Sequence, residues 1–122
     1  MMASAEQIVY TALKDLVPAS AGKPSRCAPD VAQDGVELPY ITYQAVGGQS
    51  AFTLNGGSGL RNARMQINVW AKSRPDAITL MDSVLAALTA DSVKGVPIGD
   101  ATSEYEADTK LYGARLDFSI WF

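Results

Sequence analysis

Ile8, Val9, Ala12, Leu13 and Leu16 recur at the three- and four-residue spacing of one helical face. Ser4, with Gln7 three residues on, is a capping-box signature ahead of that face, and Pro18 stops it, so a helix is predicted from Ser4 to Leu16. The pattern then dissolves. Between Pro18 and Pro39 the chain also carries Pro24, Pro29, Gly22 and Gly35, which predicts a connector interrupted at most by a short strand near Arg26 to Ala28. Tyr40 to Val46 is rich in aromatic and β-branched residues and ends at Gly47-Gly48, a strand with Ile41, Tyr43 and Ala45 expected inward.

Strict alternation begins at Asn62. Ala63, Met65, Ile67 and Val69 alternate with Asn62, Arg64, Gln66 and Asn68, so a strand to Ala71 lays one face on a core and turns the other to polar surroundings. Ser73 is placed to cap a second helix with Pro75 in its first turn, and Ile78, Met81, Val84, Leu85 and Leu88 form its predicted stripe, ending near Ala90. Gly95, Pro97 and Gly99 read as turns, and Thr102 to Asp108 as a strand with an acidic face. A last alternation puts Tyr112, Ala114, Leu116, Phe118, Ile120 and Phe122 on one side and Arg115, Asp117, Ser119 and Trp121 on the other. The predicted fold is α+β: two layers, a mostly antiparallel sheet carrying both helices on one face.

Composition narrows the chemistry. A length of 122 residues with 48% hydrophobic and 19% charged residues predicts one globular domain over 1–122. Thirteen acidic against ten basic residues leave no cationic field to grip a polyanion, so nucleic-acid and anionic-membrane binding are not expected. The chain has no histidine, which removes the commonest general base and transition-metal ligand. A lone cysteine, Cys27, makes no internal disulfide and fits synthesis in a reducing cytosol. The first residues lack the basic stretch and continuous apolar core of a signal peptide, and no apolar run is long enough to span a membrane.

Candidate sites are few. Gly47-Gly48 and Gly56-Gly57-Ser58-Gly59 bracket a loop, but Leu60-Arg61 leads into a strand rather than a helix, so a phosphate cradle is not expected. Gln49, Phe52 and Leu54 lie in that loop, and apolar residues at a polar tip point to partner contact. Asp100, Glu104, Glu106 and Asp108 read as an edge-protecting face rather than a metal site, and Cys27 as a small buried filler. No catalytic residue, cofactor site or metal site is assigned. Strand parity instead sets Trp70 beside Arg64 and Trp121 beside Arg115 on the non-core face, the residue mix of protein interfaces.

The runs Glu37-Leu38-Pro39-Tyr40-Ile41-Thr42-Tyr43, Gly59 to Ala71 ending Val69-Trp70-Ala71, and the closing Tyr105 to Ser119 resemble, in order and spacing, the small tail-completion proteins of long-tailed phages, prophages and gene-transfer agents. The resemblance covers nearly the whole chain. It implies a non-enzymatic virion protein of the tail or neck, assembled in the bacterial host cytoplasm. Such a protein forms a ring with itself, typically a hexamer, at the head-proximal end of the tail. Its implied partners are the tail tube protein and a head connector or neck protein, with DNA only passing through the lumen and no membrane or small-molecule substrate. Trp70, Trp121, Arg64, Arg115, Phe52, Leu54 and Gln49 are the expected contact residues. The rival expectation is a small α+β ligand-binding or enzyme domain with a pocket between helices and sheet. A toxin or regulator partner encoded near a mobile element is a third.

Overall fold

Ser4 closes the capping box that its spacing predicts: its hydroxyl accepts from the Gln7 N–H at 3.1 Å, and the Gln7 side-chain oxygen accepts from the Ser4 N–H at 3.0 Å. These bonds belong to a computed structural model that describes residues 4–48 and 61–122. Helix α1 (Ala5–Leu13) follows, continued by one 3₁₀ turn over Lys14–Leu16, and buries Ala5, Val9 and Leu13.

The connector is closed by side chains. Ser20 donates from its N–H and its hydroxyl to the two Glu37 carboxylate oxygens, both at 2.9 Å. Arg26 donates to the carbonyls of Pro39 and Pro18, also at 2.9 Å. Between these ties, strand β1 (Cys27–Pro29) runs parallel to β2 (Tyr40–Ala45). Cys27 and Ala28 are buried, so this piece of the connector belongs to the core. Burial pushes the Cys27 thiol up to about 11, which keeps it an unreactive filler at neutral pH.

Strand β3 (Asn62–Ala71) pairs antiparallel with β2 on one side and with β5 (Leu111–Trp121) on the other, and β4 (Val96–Glu106) pairs with β5 at the far edge. The order is β1-β2-β3-β5-β4, with β1 to β2 the parallel step. Helix α2 (Arg74–Thr89) crosses from β3 to β4, its N-terminus capped by the Ser73 hydroxyl accepting from the Asp76 N–H at 3.2 Å. Both helices lie on one face of this sheet, where Val9, Leu13, Ile41, Met65, Ile67, Val69, Val84, Leu88, Phe118 and Ile120 are sealed from solvent in one cluster. The alternation that predicts β3 and β5 is the alternation that fills this layer, and the predicted α+β class is the observed one.

Four expectations are corrected. Ile78 is exposed, because the buried stripe of α2 is centred on Ala77, Leu80, Met81, Val84 and Leu88, and Ile78 stands about 100° around the axis from Ala77. Leu85 packs half-buried against the core, as the predicted stripe has it, whereas Leu16, predicted on the apolar face of α1, is exposed at the end of the 3₁₀ turn. Ala45, the last residue of β2, is exposed although the chain stays on the sheet: Val46 donates to the Arg64 carbonyl at 2.8 Å, Arg64 donates to that of Gly47 at 2.6 Å, and Gly48 approaches the Asn62 carbonyl too closely for any Cβ. Strand β4 begins at Val96 rather than Thr102: an edge strand tolerates Pro97, and a register shift between Ile98 and Thr102 absorbs Gly99 at φ +77°.

Candidate sheet-face interface

The face of the sheet opposite the helices is laid out by register. Its rows read Tyr40, Trp70, Gly113 and Glu104; then Thr42, Asn68, Arg115 and Thr102; then Gln44, Gln66, Asp117 and Ile98. Arg64, Ser119 and Val96 form the next row, and Asn62 and Trp121 the last. Polar side chains dominate the middle, aromatic ones the two ends.

At the first end the Trp70 indole lies over Gly113. A Cβ on Gly113 would sit 2.7 Å from the six-membered ring of Trp70, so glycine leaves the space that a flat aromatic fills. Trp70 is half-buried as a result, and the neighbouring Tyr40 hydroxyl is pushed above its ordinary pKa, first by burial and then by the Glu106 charge. In the middle, Arg64 Nε donates to Asp117 Oδ2 at 2.7 Å, and an Arg115 terminal nitrogen lies 3.3 Å from Glu104 Oε1. Asn62 donates to the Ser119 hydroxyl at 2.8 Å. Cross-strand pairs of opposite charge on diagonal positions satisfy one another within the chain.

The last row differs. Trp121 is 44% exposed, and the register puts Val96 and Ile98, 55% and 39% exposed, on the adjacent strand of the same face. Three large apolar side chains thus stand open at one corner, the kind of patch that marks a protein contact. The structure brings Trp70, Trp121, Arg64 and Arg115 onto one face, as parity predicts, but not into one cluster. Trp70 is opposite Gly113 and Trp121 ends β5, about 27 Å further along at strand rise. Gln49, Phe52 and Leu54 lie outside the described residues. Sequence reading missed Val96 and Ile98, because Pro97 and Gly99 made their segment look like turns; their apolar alternation on either side of Pro97 is the signal that was present.

Elsewhere the chemistry is sparse. Among the described residues no group of three or more acidic or cysteine side chains is placed to hold a metal ion. Two surface depressions flank the start of α1, one lined by Glu6, Tyr10, Pro29 and Tyr43, the other by Gly47, Gly48, Arg61, Asn62 and Phe122. Ser4 and Gln7 border the first, and both are engaged in the capping box. Arg61 borders the second with its guanidinium stacked 5.4 Å from the Phe122 ring centre.

The sequence from residue 7 to 122 matches the family model described as Tail completion protein gp17. A chain in the solved virion of a native gene transfer agent particle shares the fold with a TM-score of 0.58 at 15% identity, over 97% of this chain and 93% of that one. No curated protein is matched in sequence.

Proposed function

Since this chain belongs to the tail completion protein gp17 family, and so is a structural part of a phage-type tail, we propose that it closes the head-proximal end of that tail as a ring of its own copies, stopping tube growth and joining tail to head. The role requires no catalysis. The observation that carries the ring is the open sheet face: an ordered layer with its polar middle satisfied internally and an apolar corner of Trp121, Val96 and Ile98 left uncovered. Repeated contacts among identical copies close a ring when one patch meets a different patch through a fixed rotation. Six copies, a tail tube protein below and a head connector or neck protein above complete the proposal, with assembly in the host cytoplasm.

Net charge supports the same reading. A chain with thirteen acidic and ten basic residues does not hold DNA that must slide through a lumen. Trp70 enters this scheme as a support for the face rather than as its anchor, because its indole is already spent on Gly113. The test is electron microscopy of particles from a strain lacking this gene. Tails of uncontrolled length, or heads and tails that fail to join, are expected. Tails of normal length joined to heads would refute the proposal.

A further inference from the structure

Among the described residues the sheet ends at β4, an eleven-residue strand paired with β5 on one side only. In an antiparallel pair alternate residues turn their N–H and C=O groups away from the partner, so the outer side of β4 is an open row of donors and acceptors. Pro97 and the register shift between Ile98 and Thr102 interrupt its first half. Thr102 to Glu106 runs without interruption opposite Arg115 to Leu111.

This second half is exposed yet held in place. Arg74, at the start of α2, donates to the carbonyls of Gly113 at 2.8 Å and Glu104 at 3.0 Å, with its guanidinium 5.1 Å from the centre of the Tyr112 ring. Tyr105 packs its ring 5.0 Å from that of Tyr112. Arg115 fixes Glu104, and the Thr109 hydroxyl donates to Glu106 at 2.6 Å. A strand already ordered spends little conformational entropy on gaining a neighbour.

Charge states what kind of neighbour. Residues 96–110 carry Asp100, Glu104, Glu106 and Asp108 against Lys110, and the remaining residues hold nine of each sign, so the net charge of −3 resides in this hairpin. Two such edges repel, since like charges directly opposite across a strand pair are destabilising. We infer that the Thr102–Glu106 edge of β4 takes an extended, lysine- or arginine-bearing segment of a different protein, added as a sixth strand. Its basic side chains lie along the face of Glu104 and Glu106, and its alternate residues lie along the face of Tyr105. This inference stands apart from ring closure: strand addition at β4 holds or fails whether or not copies of the chain close on one another.

The test uses the full chain and two synthetic peptides of equal length, one alternating lysine with threonine and one alternating glutamate with threonine. Amide exchange is followed by NMR. The lysine peptide is expected to slow exchange at residues 102–106, less so at high salt, and the Glu104→Gln/Glu106→Gln double variant to bind it roughly tenfold more weakly with its fold intact by circular dichroism. Equal protection by the glutamate peptide overturns the inference. So does a response to the lysine peptide that leaves 102–106 unchanged. Protection of β4 that grows with protein concentration and without peptide would make a second copy the occupant, and the inference would fall.

Discussion

The two faces of the same three strands, β2, β3 and β5, are built on different terms. Facing the helices, Ile41, Met65, Ile67, Val69, Phe118 and Ile120 are sealed from solvent and fit against one another and against Val9, Leu13, Val84 and Leu88. On the opposite face the same strands carry the Arg64–Asp117 pair and an indole laid on a glycine, and with β4 beside them the Arg115–Glu104 pair and an uncovered apolar corner. The first face stabilises by removing apolar area from water and by close packing. The second adds less to stability, because ion pairs with one partner in solvent are worth only about 1 to 2 kcal/mol each. A surface that contributes less to folding is one whose residues are free to serve assembly.

Substitutions separate the two faces by magnitude. Phe118→Ala, which empties a fully buried aromatic site, is expected to lower stability by about 3 to 5 kcal/mol in urea unfolding. Gly113→Ala tests whether the open face contains any tight packing: a Cβ driven into the Trp70 ring should cost about 1 to 3 kcal/mol, and much of that loss should vanish in a Trp70→Ala background. An equal cost in both backgrounds would mean that Trp70 does not occupy that space. Arg64→Ala should cost about 1 to 2 kcal/mol, because the arginine is half in solvent while the Asp117 carboxylate it leaves behind is only 14% exposed. A loss as large as that of Phe118→Ala would erase the distinction between the faces.

The smallest effect belongs to neither face. Two hydrogen bonds from Ser20, the backbone one first, hold the Glu37 carboxyl below its ordinary pKa. A carboxyl depressed in the folded state contributes stability above its unfolded pKa, and that contribution is lost as pH falls through the folded value. Ser20→Ala, which removes the hydroxyl donor and keeps the backbone one, should move the Glu37 titration part of the way up toward the ordinary carboxylate range in NMR, with little change in unfolding at neutral pH. No upward movement would show that the Ser20 hydroxyl contributes nothing and that the backbone N–H alone sets it.

Period-two alternation made the central strands legible, because a strand with one covered face must alternate. It also placed Trp70, Trp121, Arg64 and Arg115 on the uncovered face, since parity survives folding. What parity does not carry is pairing between strands. That Arg64 meets Asp117 depends on the register between β3 and β5, and that Trp70 lies on Gly113 depends on the same register. The stripe of α2 was misread at Ile78 because alanine at position 77 packs a helix close to the sheet without standing out as apolar in the sequence. The start of β4 was hidden because Pro97 and Gly99 mean turn in most settings and are compatible with strand only at an edge.

Hydroxyl-radical footprinting with residue-level mass spectrometry, on the free chain and on assembled tails, addresses the open face most directly. Trp121 and its neighbours Val96 and Ile98 should be readily oxidised in the free chain and strongly protected in the tail, while Phe118 stays protected in both. Equal oxidation of Trp121 in the two states would contradict the assignment of this face to assembly.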